Sequence, residues 1–311
     1  MKKYILGKYL VLFLILGFIP SMAHAASIYF ETSRDTVSVG DTFIVSAKID
    51  AQGTSINTVD GSVVLGNNNG NVVVNDFSLA KSVFSAWPAT PSLSTDGNTI
   101  SFVGGVPGGF NFDKAIIFNF ILEADKEGDI TISPKDIAVF ANDGKATRVP
   151  TDFKSLTIKV LPKNDNIASE NDWLNLVTSD KTSPEPFTIL IGKDPSLSNG
   201  KRFAFFTAVD NQSGISYYEV SEDGKPAVRS GSTYVLQNQN ENSTPNLVVT
   251  AYDKAGNKTV AVYKKPVTTL FGISLNFIIA ILVIIILFFV FKRIIKVKKM
   301  RRIKNNAGNN Q

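Results

Sequence analysis

The sequence predicts an all-β protein: two β-sandwiches in series, followed by one C-terminal transmembrane α-helix. Three observations carry that expectation. Apolar residues recur with a period of two through 26–160 and again through 187–265. Clusters of Gly, Asn and Asp separate these runs at short intervals, and many short alternating strands divided by turn signals read as sandwiches. Finally, the run 271–291, opened by Phe271 and closed by Phe291, carries no charge.

The first 25 residues read as an export signal. Lys2, Lys3 and Lys8 precede an apolar stretch, Pro20 stops it, and Ala23-His24-Ala25 is a small-x-small cleavage pattern. The stretch 271–291 is different. As a helix it would cover roughly 31 Å, about the hydrocarbon thickness of a bilayer, and in lipid only a helix satisfies its backbone. Eight basic residues between Lys292 and Lys304 follow it with no acid among them. Basic flanks stay cytoplasmic, so the expected topology is single-pass in the cell membrane. The basic tail 292–311 lies inside and everything from 26 to 270 is extracytoplasmic.

Charge partition sharpens this. Of 32 basic and 27 acidic residues, three basic ones lie in the leader and eight in the tail. The exported part therefore holds 21 basic against 27 acidic residues, a net −6, so the overall pI near 9.1 does not point to nucleic acid. The chain has no cysteine, and its one histidine, His24, leaves with the leader. Cys nucleophiles, Ser-His-Asp triads, His- or Cys-based metal sites and disulfides are all excluded. Paired carboxylates could still hydrolyse glycosides, but Asp96, Asp143 and Asp223 sit in Asp-Gly turns where a short side chain helps the backbone reverse. The expectation is a non-enzyme without a cofactor.

Within 26–160, Phe43, Val45, Ala47 and Ile49 alternate with polar residues. Phe118, Phe120 and Leu122 alternate inside a more apolar run that suits a strand covered on both faces, and Leu156, Ile158 and Val160 close the series. The segment 161–186 is polar and holds Pro162, Pro184 and Pro186. It reads as a linker with one short helix, in which Ser169 and Asp172 suggest a capping box ahead of Trp173; Trp173 is expected to pack in the joint between domains. In 187–265, Phe187, Ile189 and Ile191 mark one strand and Phe203, Phe205, Thr207 and Val209 the next. Tyr217, Tyr218 and Val220 mark a third, and Leu247, Val249 and Ala251 a late one. About seven strands are expected there.

The first sandwich resembles the cohesin domain. The resemblance is carried in order by Val37-Ser38-Val39-Gly40-Asp41-Thr42-Phe43-Ile44-Val45 with Lys48-Ile49-Asp50, and by Ser55 to Val63. It continues through Ser82-Val83-Phe84-Ser85-Ala86-Trp87-Pro88, Ile100 to Gly105, Val106-Pro107-Gly108-Gly109-Phe110, and Val139-Phe140-Ala141-Asn142-Asp143-Gly144. It implies a nine-stranded jelly roll, shared with carbohydrate-binding modules, that binds a protein module such as a dockerin, or a polysaccharide. The Gly- and Asn-rich stretch 65–71 departs from the family pattern, and no partner-contact residues are carried over. The second sandwich resembles bacterial Ig-like modules through Ser183-Pro184-Glu185-Pro186-Phe187, Ser213 to Val220, and Ala251-Tyr252-Asp253-Lys254-Ala255-Gly256-Asn257. Such modules are spacers.

The candidate ligand-binding residues are Trp87, Phe84, Phe110 and Phe112, aromatics beside Gly/Pro loops that would stack on a sugar if exposed and close the core if not. No catalytic or metal site is expected. Asp143 and Asp253 read as turn residues, since neither lies in a loop with EF-hand spacing. The resulting expectation is a membrane-anchored recognition protein. The rival readings are a structural stalk or surface-layer component, and a carboxylate glycosidase.

Overall fold

A computed structural model describes residues 25–66, 70–195 and 198–263. The export signal at 1–25 (all but its last residue) and the expected membrane helix at 271–291 lie outside the described residues. The first sandwich holds eleven strands. One sheet has five in the order β10-β1-β3-β8-β5, and the other six in the order β2-β11-β9-β4-β7-β6. Their ranges are β1 Ala26–Thr32, β2 Thr36–Ser38, β3 Thr42–Asp50, β4 Ile56–Gly66, β5 Val72–Ser78 and β6 Ala86–Leu93. β7 Thr99–Phe110, β8 Ala115–Ala124, β9 Gly128–Ala141, β10 Thr151–Phe153 and β11 Leu156–Leu161 complete it.

Eleven strands, where nine were expected, arise because two passages change sheets midway. β1 and β2 are one passage broken at 33–35, and β10 and β11 another broken at 154–155. In each, a three-residue piece pairs in parallel with the other passage: Ala26 with Thr151, and Val37 with Val160. Both passages therefore stitch the two sheets together, a covalent substitute for an inter-sheet disulfide.

The core follows from the period of two. Phe43, Val45, Ala47 and Ile49 all point inward from β3, opposite Phe118, Phe120 and Leu122 of the neighbouring β8 and the inward residues of the second sheet. Phe102 and Phe118 rings meet at 4.9 Å, and Phe30 meets Phe120 at 6.3 Å. Each such ring stabilises by about 2–3 kcal/mol through burial. Ile121 faces the other way on β8 and is also fully buried, whereas Asn119 and Glu123 on that face are half-buried and exposed, so the second face is covered only in part. At the opposite edge, β6 carries Pro88 and Pro91 and pairs irregularly with β7.

The linker contains one helix, α1 (Asp172–Ser179). Its N-cap is Asn171, whose side chain accepts the Leu174 N–H at 2.7 Å, and not the expected Ser169. The difference has a local cause. Asp41 Oδ1 takes the Glu170 N–H, and the Glu170 carbonyl accepts the Thr42 N–H, so this stretch runs extended against β3 until Asn171.

The second sandwich has seven strands, in sheets β12-β13-β16 and β15-β14-β17-β18. Here β12 is Ile189–Lys193, β13 Arg202–Phe206, β14 Ile215–Glu222, β15 Val228–Ser230, β16 Thr233–Val235, β17 Leu247–Asp253 and β18 Lys258–Val262. One correction concerns β13: Ala204 and Phe206 point into the core and Phe203 and Phe205 outward, the reverse of the predicted face. A one-residue slip in reading an aromatic-rich strand exchanges its faces. Tyr218 centres the core, 5.0 Å from the Phe206 ring, and its hydroxyl accepts the Ala208 N–H at 2.9 Å. Burial pushes the Tyr218 hydroxyl above its usual range. No helix among the described residues is long and apolar enough to cross a membrane.

Candidate functional site

The four aromatic candidates form one chain of ring contacts: Trp87 to Phe84 at 5.8 Å, Phe84 to Phe110 at 6.1 Å and Phe110 to Phe112 at 5.4 Å. Phe84 and Phe110 are only 4% and 7% exposed and belong to the core, so neither offers a free ring face. Phe112 is 56% exposed and Trp87 is half-buried. Gly104 makes this packing possible, because a Cβ there would stand 2.6 Å from Phe84 and 2.8 Å from Trp87. Phe84 and Trp87 also line a cavity of about 710 Å³ against the second sandwich, whose wall includes Tyr217, Arg229 and Asp210. The Arg229 guanidinium lies 3.9 Å over the Tyr217 ring.

A second surface lies on the outer face of the six-stranded sheet. Register places Ser92 opposite Ser101, Ser101 opposite Ser62, and Ser62 opposite Lys135, across β6, β7, β4 and β9. A parallel row sets Thr99 beside Val64 and Val64 beside Ser133. The Ser62 and Ser101 hydroxyls are 3.0 Å apart, and those of Ser133 and Ser155 are 2.8 Å apart. Alternation sends Val63, Ile100, Phe102 and Ile132 inward from the same strands. The face is therefore rich in hydroxyls able both to donate and to accept. Each serine is an ordinary polar position in the sequence, and only strand pairing aligns them.

The third feature is a carboxylate cluster in the second sandwich. Asp180, which caps the C-terminus of α1, Asp210 in the loop after β13, and Asp253 at the end of β17 bring carboxylate oxygens within 4.8 Å of one another. They are 1%, 3% and 2% exposed. Like charges at that separation repel by about 3 kcal/mol per pair at an effective dielectric of 20. Backbone donors hold each one: Asp180 accepts the N–H groups of Thr182 and Ser213, Asp210 those of Gln212 and Gly214, and Asp253 that of Asn257. Asp253 also accepts the Asn257 side-chain amide at 2.9 Å. Asp253 is thus a turn residue and a cluster member together. The three are spaced so widely in sequence that no local motif shows them. Asp143, by contrast, is exposed and confined to its own turn. There the Thr147 hydroxyl, and after it the Lys145 N–H, hold its carboxyl below the usual range.

The cluster borders the joint between the sandwiches. Ser78 Oγ, at the end of β5, donates to the Ser213 carbonyl at 3.0 Å. Lys254 pairs with Asp76 of β5, and its ammonium lies 5.6 Å from the Trp173 ring centroid, which places Trp173 at this joint. A Cβ on Gly214 would approach Ser78 Oγ to 2.6 Å, so glycine lets the two backbones meet. On the first sandwich, Arg34 pairs with Asp41, Glu170 and Asp172 and fastens the entry to α1.

No family model matches the chain, and no curated protein matches it. Among solved structures, the chain is similar to a non-cellulosomal cohesin from the archaeon Archaeoglobus fulgidus, at 13% identity and a TM-score of 0.36. That match covers 44% of this chain and 92% of the cohesin. A type I cohesin from Pseudobacteroides cellulosolvens gives 12% identity and a TM-score of 0.38, covering 47% and 98%. A Clostridium thermocellum cohesin solved in complex with a dockerin gives 11% and 0.37, covering 44% and 100%.

Proposed function

We propose that the chain is a membrane-anchored recognition protein whose first sandwich binds a folded protein module on the outer face of its six-stranded sheet. The second sandwich acts as the spacer, and the run 271–291 as the anchor that keeps both outside the cell. The observation that carries this reading is the serine alignment Ser92–Ser101–Ser62 beside Lys135. Short hydroxyl side chains lose little rotamer freedom on contact, so such a face could receive a partner whose own aromatic and Arg anchors would supply most of the affinity. Dockerin-like modules are the first partners to try, because the sequence resemblance to cohesins points to them. The reading contains no catalytic step.

The test is capture of exported proteins on the immobilised full-length chain, followed by titration of any captured module. Ser62→Glu together with Ser101→Arg, both on the solvent side, places opposite charges across the pair beside Lys135, and should weaken binding at least tenfold while leaving the melting temperature within a few degrees of wild type. Equal binding by this variant would remove the sheet face from consideration. Capture of nothing would favour the stalk reading.

A second reading is favoured by the cavity, where half-buried Trp87 lines the wall of the first sandwich and polar residues such as Ser216, Arg229 and Ser230 line that of the second. There a polysaccharide segment would bind. On a glycan array Trp87→Ala would then abolish a signal that the double serine variant retains.

A further inference from the structure

We infer that Asp180, Asp210 and Asp253 form a calcium site that stiffens the joint between the sandwiches. The three carboxylates are almost completely buried and carry three formal negative charges within 4.8 Å. Among the described residues none of them is ion-paired with a lysine or arginine. The two adjacent lysines are turned to other partners: Lys181 donates to the Thr178 carbonyl, and Lys254 pairs with Asp76. Buried charges persist when paired or when they coordinate a metal.

Ser213 gives an independent indication. It is 0% exposed and its hydroxyl has no hydrogen-bond partner among the described residues. Its backbone lies against the cluster: its own N–H donates to Asp180 Oδ2 while the flanking Gln212 and Gly214 N–H groups donate to Asp210 Oδ1. A buried hydroxyl in this position has a use if it contacts a cation or a water on that cation.

The donor chemistry selects the metal. All side-chain donors are hard oxygens, which excludes the thiolate and imidazole sites preferred by zinc and copper. Calcium accepts irregular sets of carboxylates, carbonyls and waters at 2.3–2.6 Å, whereas magnesium demands a near-ideal octahedron and retains its waters. The consequence is mechanical. One ion would tie together the end of α1, the loop after β13 and the turn after β17. That same loop receives the Ser78 bond, and the turn's Lys254 reaches Asp76, so fixing both also fixes the first sandwich. The inference stands apart from the sheet-face reading.

The experiment is equilibrium dialysis of the detergent-purified full-length chain against radioactive calcium, with magnesium as competitor, and a parallel melt in calcium or EDTA. We expect one calcium per chain, little competition from a tenfold excess of magnesium, and a melting temperature that rises with calcium concentration. Tryptic cleavage within 161–186 should slow at least fivefold in calcium. Asp210→Asn keeps the oxygen that accepts the Gln212 and Gly214 N–H groups and should lower affinity at least tenfold, while Asp143→Asn should change nothing. If Asp210→Asn does not fold, wild-type stoichiometry still decides. No bound calcium at millimolar concentration would overturn the inference. So would full calcium binding by folded Asp210→Asn.

Discussion

Tyr218 shows how a single polar atom fixes the smaller core. Its ring fills the centre of the second sandwich, and its hydroxyl is the acceptor for the buried Ala208 N–H. Tyr218→Phe preserves the packing but leaves that N–H unpaired, so it should destabilise the fold by about 1–3 kcal/mol, measured by urea titration. A change within error would mean that water replaces the hydroxyl. At this scale legibility was uneven. Tyr218 and Asp253 are conspicuous in their motifs, and Phe43 to Ile49 declare their inward face by simple alternation. Phe203 and Phe205 mislead, because in β13 these two rings face outward while small Ala204 and the neighbouring Phe206 face the core. Hydrophobicity gives the period of a strand, but when both faces are apolar it does not give the phase.

At the scale of elements, the pairing of β4 with β9 depends on Gly61. Pairing with β9 shifts between Asp60 and Ser62, and a Cβ on Gly61 would lie 2.6 Å from the Ile137 Cα. Because the obstacle is backbone, the strand itself would have to move. Gly61→Ala should therefore cost about 1–3 kcal/mol and disturb the Ser62 alignment, read as a lower denaturation midpoint together with weaker partner binding. A midpoint equal to wild type would show that β9 yields freely. The elements also explain what sequence reading could not supply. The strands of the first sandwich were legible from their alternation, yet the serine rows require knowing that β6, β7, β4 and β9 are neighbours. The helix was legible too, but its first residue was set by Asp41 and Thr42, partners far away in the chain.

For the whole molecule, the two sandwiches are unequal. Among the described residues, thirty buried ones form the first core and eleven the second, so the second draws more of its order from polar ties such as the Asp cluster. Loss of calcium from the proposed site should accordingly melt the second sandwich first. The proposed topology makes a separate prediction: protease added to intact cells should digest the part before 271 and spare a tag at Gln311. The opposite pattern would refute external display. The three acids that meet near the joint come from the linker, one loop and one turn. Their convergence is a property of the folded chain, which is why spacing brought out Asp253 alone, and only as a turn residue.

The irregular edge strand β6 limits how anything can dock beside Trp87. Pro88 and Pro91 lack amide hydrogens, and the strand already pairs unevenly with β7. Such an edge cannot extend the sheet by accepting a foreign strand. Visitors to that side must be held by side chains, and neighbouring copies crowded on one surface are denied a route to polymerise there.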